Sequence, residues 1–396
     1  MNRNVALGVK YIGDSEPMSD SKRPRVSIIV NGTPRMANGI RVSNLFEPLK
    51  EEYELCRAYR TGGRIGSFAG FTTFIERTDP DIVYCVDIGY STSTAMLHRA
   101  LRGRPYILDT GDPSFFLLRN MGRPWIELQI AKAMEWLMPT MAEHVVCTGK
   151  GLADWYGERG FSNVSYIPNG VDLNRFQPRD ASRLRHELNV DNCLTLGVVG
   201  SLNWNEKYQT CYGDDLIEVM PLIADLPVRG IIVGGGTGLA HLRDKATRLG
   251  VADRVIFTGA VPHSAVPEYV CALDICLSTQ TPDEVGKMRT ITKLAEYLAC
   301  NRFVISTDVG GETRDILSRM GVLIPYSGFG DKGYAQRVAD EVRKVIVQPD
   351  IRFKASHARA EASTRFDRIA LSHKLGNVVK TVLNQSTRRS HNSYNQ

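Results

Sequence analysis

Three stretches carry residues whose types and spacing could do chemistry. In TITKLAEYLAC (290–300), Ile291, Leu294, Ala295 and Leu298 recur at helical spacing, while Lys293 and Glu296 fall off that apolar stripe. The pattern puts Glu296 on the wetter face of a helix. There it either forms an i,i+3 pair with Lys293, worth a few tenths of a kcal/mol, or accepts two hydrogen bonds from a vicinal diol such as a ribose. Backbone amides at Thr290, Ile291 and Thr292, where the helix starts, could meet a pyrophosphate. Taken alone, the ion pair is the simpler reading. In SLNWNEKYQ (201–209), a loop after an apolar run, Lys207 either meets a phosphate as a compact point charge or is solvated. GGGTG (234–238) lies between an apolar strand and a helix, and reads equally as a ligand loop and as a tight turn. It is neither a dinucleotide fingerprint, because position 239 is Leu239, nor a P-loop, because no lysine and hydroxyl follow at the right offset.

Other chemistries lack their signatures. The histidines are scattered and H-E-x-x-H is absent, so no metal site is expected. No G-x-S-x-G elbow supports a serine hydrolase. The eight cysteines include no C-x-x-C, and several sit in apolar runs, which fits a reducing compartment. With 49 basic and 43 acidic residues the net charge is +6, a mild preference for acidic partners; no basic-aromatic module points to nucleic acid. The first residues lack a signal-type apolar core, and no run approaches the roughly 18 apolar residues of a membrane span. A cytoplasmic protein is expected, with the inner face of the cell membrane as a second place. Trp125, Trp136, Leu137 and Met138, on a helical stretch with Arg123 and Lys132, either touch a bilayer or pack in the core.

The elements that must position these residues alternate. RVSIIVNGTPRMANG opens a strand, a glycine-containing loop and a helix. DIVYCVD, PYILDTGD, HVVCTG and VSYIPNG follow as strands between helical stretches. From Leu194 the alternation starts afresh with LTLGVVG, VRGIIVGGG, RVIFTG, ALDICLST and RFVISTD. Strands separated by helices imply right-handed crossovers and parallel sheets. The expected organisation is a flexible leader (1–23), an α/β domain (24–180), a charged, proline-bearing linker, a second α/β domain (190–350), C-terminal helices (351–385) and a frayed tail (386–396).

In order, IPNGVDLNRFQP, LGVVGSLNWNEK, IIVGGGTG, RVIFTGAVPHSAVPEYVCALDICLST and KLAEYLACNRFVISTDVGG resemble the family-4 retaining glycosyltransferases, from about 164 to 315. The resemblance implies a GT-B fold, α/β in class: two Rossmann-like, doubly wound parallel-sheet domains facing across a cleft. The C-terminal one would bind a nucleotide sugar and the N-terminal one the acceptor, with the last helix crossing back to the first domain. It implies transfer of a sugar from a nucleotide diphosphate to a glycan, lipid-linked or small-molecule acceptor with retention, without metal or cofactor, in cell-surface polysaccharide or glycoconjugate synthesis. Position by position, Glu296 matches the second glutamate of an E-x7-E motif, the ribose ligand, and Lys207 a donor-phosphate lysine. Gly39 matches a glycine that admits the donor phosphate to a helix start, and Asp112 a group near the reacting centre. Asp112 and Lys207 are the implied catalytic pair. Gly39, Gly200, Ser201, Lys207, Gly235, Thr290, Ile291, Lys293 and Glu296 form the donor-binding set.

The chain departs from the pattern at three places. Met288 replaces the first glutamate, Ser201 a diphosphate-binding arginine, and Gly111 a histidine. Asp283 or Glu284 is the candidate substitute for the missing glutamate. Two other readings fit the same plan: a nucleotide-sugar epimerase, and a non-catalytic nucleotide-sugar-binding protein.

Overall fold

A computed structural model describes residues 5–6, 8–12, 23–89 and 92–394. The chain divides into two units, residues 1–170 with 368–396, and residues 171–367. The division falls at Gly170, not near 180. The segment 171–190 is therefore not a linker but part of unit two: Phe176, Leu184 and Val190 are buried in its core and Ser182–Glu187 is a helix.

Unit one is an eight-stranded sheet: β1 (Val5–Ala6), β2 (Val9–Ile12), β3 (Arg25–Val30), β4 (Glu54–Arg60), β5 (Ile82–Val86), β6 (Tyr106–Thr110), β7 (His144–Cys147) and β8 (Val164–Tyr166). The order is β1-β2-β4-β3-β5-β6-β7-β8. β3 to β8 are parallel, and fully buried runs such as Ile82–Val86 and Tyr106–Thr110 are what helices on both faces demand. β2 pairs antiparallel with β4 and β1 with β2, so the leader expected to be flexible adds an edge to the sheet at Val5–Ala6 and Val9–Ile12. The rest of that leader lies outside the described residues apart from Arg23. The final helix, Arg368–Tyr394, belongs to this unit. Its Leu371, Leu375, Val379 and Val382, at helical spacing, pack with Val42, Leu45 and Tyr84, and the Ser372 hydroxyl donates to the Leu45 carbonyl at 2.6 Å. The helix runs through the segment expected to fray, and residues 351–367 stay with unit two.

Unit two is an all-parallel sheet of β9 (Leu194–Val199), β10 (Val228–Val233), β11 (Val255–Gly259), β12 (Ile275–Ser278), β13 (Phe303–Thr307) and β14 (Gly321–Ile324), ordered β11-β10-β9-β12-β13-β14. The strand order reverses between β9 and β12. In unit one it reverses at β3. In such sheets ligands bind outside the carboxyl ends of the strands at the reversal, and most candidate residues fall in those loops.

Candidate functional site

In unit two, Glu296 sits on the helix Thr292–Ala299 and is only 4% exposed, so the wetter face expected for it is in fact covered. Part of the cover comes from a segment remote in sequence and part from its own helix. His263, from the loop after β11, places Nε2 3.7 Å from Oε1, and Lys293 Nζ lies 2.9 Å from Oε2. Arg175 in turn donates from Nη2 to the His263 carbonyl at 3.0 Å, and Phe176 lies against the imidazole. Burial, the strongest influence, pushes the Glu296 carboxyl up, but the charge and hydrogen bond of Lys293 and the nearby His263 imidazole outweigh it. The carboxyl is held below the usual range. Thus Glu296 is an anchored carboxylate in a polar cage, a suitable acceptor for a diol that competes with His263 and Lys293. Neither His263 nor Arg175 was singled out from the sequence.

The loops after β9 and β10 interlock. Leu202 donates its amide to Gly235 O at 3.0 Å, Gly238 to Leu202 O at 2.8 Å, and Trp204 to the Thr237 hydroxyl at 2.9 Å. Gly234 (φ 149°) and Gly236 (φ 158°) have positive φ, and a Cβ on Gly234 would overlap the Gly200 carbonyl. These glycines are therefore required by the turn itself, and they bring Gly200, Ser201 and Gly235 together. Lys207 is exposed at the tip, where the Asn205 side chain accepts its backbone amide at 3.0 Å. Its ammonium lies 4.9 Å from the Tyr208 ring, which stacks on Phe329.

Ahead of the Glu296 helix, the buried Thr290 hydroxyl donates to Glu312 at 2.6 Å, and Ile291, the residue before the first helical position, supplies no side-chain cap. Met288 ends the short helix Glu284–Met288. The Asp283 carboxylate caps that helix through the Gly286 amide at 2.9 Å and accepts the Thr281 hydroxyl at 2.8 Å, so it is occupied in its own turn.

In unit one the corresponding edge is acidic. Asp109 ends β6 but one; it accepts Arg41 Nε at 2.7 Å and the Tyr84 hydroxyl at 2.6 Å, and both ions of the Arg41 pair are buried. Arg41 also reaches the carbonyls of Ile167 and Pro168. Asp87 follows β5 at φ 70°, accepts an amide hydrogen bond from Asn38 and is pushed up to about 7 by burial and by the charges of Asp112 and Asp109. Asp112, half-buried, is thus one of three neighbouring carboxylates. The helix after it, Ser114–Asn120, is fixed by Glu135, which accepts the backbone amides of Ser114 and Phe115 and is pushed up to about 7 by burial. Gly39 lies in the first turn of Ala37–Phe46, but a Cβ there would overlap Thr33 and Pro34, so its missing side chain makes room for the chain's own loop.

The helix Trp125–Met141 exposes Trp125, Ile126, Ile130 and Trp136, with Arg119, Arg123 and Lys132 also exposed nearby. Met138, which sequence reading allowed on a bilayer-facing surface, is fully buried. Among the described residues no helix is long and apolar enough to cross a membrane, and no group of three His, Cys, Asp or Glu could hold a metal ion.

Residues 193–345 match the family Glycosyl transferases group 1, and the chain is similar to proteins of that group. It is 29% identical over 261 residues to the phosphatidylinositol N-acetylglucosaminyltransferase gpi3 subunit of Schizosaccharomyces pombe, covering 64% of this chain and 52% of that protein. It is 28% identical over 199 residues to the GDP-mannose-dependent alpha-(1-6)-phosphatidylinositol monomannoside mannosyltransferase of Mycobacterium tuberculosis, covering 48% of each. The chain spans about half the length of these curated relatives. Among solved structures, Anabaena Alr3699/HepE in complex with UDP-glucose superposes with a TM-score of 0.71 at 18% identity, over 91% of this chain and 100% of that one. The fold is of the GT-B type, two parallel-sheet α/β domains.

Proposed function

We propose that the chain is a retaining glycosyltransferase: unit two holds a nucleotide-diphosphate sugar, and unit one presents the acceptor hydroxyl. The observation that carries this reading is the anchored Glu296 carboxylate at the carboxyl edge of a sheet matching the group-1 glycosyltransferases. An ionised, immobilised carboxylate is the group that two ribose hydroxyls require.

In the reaction proposed, the bond from the sugar C1 to the diphosphate oxygen breaks and a bond from the acceptor oxygen to C1 forms on the same face. The acceptor proton passes to the departing phosphate. Charge accumulates on the diphosphate, and Lys207 with the first amides of the Glu296 helix opposes it, so no metal is called for. The carboxylates around Asp112 accept hydrogen bonds from acceptor hydroxyls and orient them.

The acceptor proposed is an inositol-bearing lipid at an anionic membrane. The names of the two curated relatives support it, and so does the face carrying Trp125, Ile126, Ile130 and Trp136 beside basic residues, a composition suited to an interfacial helix. The test is to supply labelled UDP- and GDP-sugars with phosphatidylinositol vesicles. Transfer of label to lipid is expected, with weaker vesicle binding by a Trp125→Ser, Trp136→Ser double variant. Interconversion of free nucleotide sugars without transfer would instead identify an epimerase.

A further inference from the structure

Among the described residues of unit two, one half-buried side chain has its whole polar group buried and unsatisfied: Gln280, whose Nε2 and Oε1 are both shielded from solvent and lack a hydrogen-bond partner. Burying an unpaired amide is costly, and native proteins rarely tolerate it without a reason. The backbone explains why the residue stays put but not why it is glutamine. Gln280 follows β12, and its own amide donates to the buried Thr307 hydroxyl at the end of β13, 2.8 Å away. On one side Thr279 is engaged with the Tyr334 hydroxyl at 3.2 Å; on the other, Thr281 is engaged with Asp283. The hydroxyls on both sides of it in sequence are thus already paired.

The place matters as much as the deficit. Gln280 lies at the carboxyl end of β12, one of the two strands between which the order of the sheet reverses. A carboxamide offers donors and an acceptor without charge. That suits a hydroxyl, itself donor and acceptor, better than it suits a phosphate. Asp283 is committed to its helix cap, and Met288 has no polar hydrogen. We infer that Gln280 is a donor-sugar ligand that hydrogen-bonds hydroxyls of the transferred sugar and helps select which sugar is bound. This rests on the reading of unit two as the nucleotide-sugar site.

The test is Gln280→Leu, close in volume and without the polar group, with two readouts on the full chain. In the ligand-free protein, removing an unsatisfied buried amide should raise the melting temperature, by about 2–4 °C. By calorimetry, affinity for the one of UDP-glucose, UDP-N-acetylglucosamine or GDP-mannose that binds the wild type most tightly should fall about tenfold, while affinity for the matching UDP or GDP stays unchanged. Unchanged affinity for the nucleotide sugar would overturn the inference. So would an equal loss for nucleotide sugar and bare diphosphate, which would turn the amide toward the nucleotide, or a lowered melting temperature, which would make Gln280 a structural residue. Failure of the wild type to bind any of these probes would overturn the glycosyltransferase reading instead. In that event the donor-sugar role falls with the reading it rests on, and a raised melting temperature would show only that the amide is unpaired in the free protein.

Discussion

The two units place carboxylates at the same kind of edge and treat them in opposite ways. In unit two Glu296 is surrounded by Lys293 and His263 and is held ionised. In unit one burial and the charges of Asp112 and Asp109 act on Asp87, the Arg41 cation nearby is already bound to Asp109, and the Asp87 carboxyl rises to about 7. Parallel α/β architecture therefore fixes where functional groups stand, while the neighbours on adjoining loops fix their charge. A fully ionised acceptor suits a diol fixed before reaction. A carboxyl such as Asp87, raised to about 7, can donate as well as accept near neutrality and suits hydroxyls that come and go.

The largest expected effect is on the buried pair of unit one. Arg41→Ala removes the cation from the buried Asp109 and leaves it the Tyr84 hydroxyl, a loss of about 3–5 kcal/mol by analogy with other broken buried pairs. Chemical denaturation checks it. A loss below about 1 kcal/mol would mean that the acidic cluster is wetter than its geometry indicates, and the contrast between the units would weaken.

Next comes Glu296→Ala. Losing hydrogen bonds to a charged acceptor corresponds to about 1.5–3 kcal/mol, so affinity for UDP or GDP should fall about 10- to 100-fold in calorimetry. Circular dichroism should show the fold retained. Affinity equal to wild type would remove Glu296 from the ribose-binding role and leave it a buried ion pair.

How far this contrast could be read from the sequence depends on how local its causes are. Glu296 was legible because the stripe Ile291, Leu294, Ala295, Leu298 sets the helix phase and the surrounding motifs come in order. Its burial was not, because His263 reaches it from a loop, itself held by Arg175 from another, whose packing no local pattern encodes. Lys207 was placed in a strand-end loop, which is where it lies. Asp112 entered through the resemblance, while its neighbours Asp87 and Asp109 did not, although DIVYCVD and PYILDTGD each put an acid at the end of an apolar run. The parallel register, with Val86 opposite Asp109, is what brings them together. The short strands Val5–Ala6 and Val9–Ile12 were missed because the sequence around them is polar and the partner of the second, Glu54–Arg60, is distant in sequence.

The subtlest prediction uses pH to set the two units against each other. Asp87 has a folded-state pKa raised from 3.8 to about 7, so the folded protein binds a proton there that the unfolded chain releases. Its contribution to stability is complete below about pH 4 and is lost as pH rises through about 7. Glu296 runs the other way: its folded pKa is lowered, so its contribution is present above the unfolded value and disappears in acid. Asp87→Asn, which keeps the shape and tolerates the left-handed backbone at φ 70°, removes only the first effect. Its melting temperature should therefore gain on wild type steadily between about pH 4 and pH 7. Glu296→Gln should lose most relative to wild type near neutrality and converge with it as the pH falls toward the carboxylate range. Parallel pH profiles for the two variants would mean that the acidic and cationic surroundings do not control these groups, and the contrast between the units would fail.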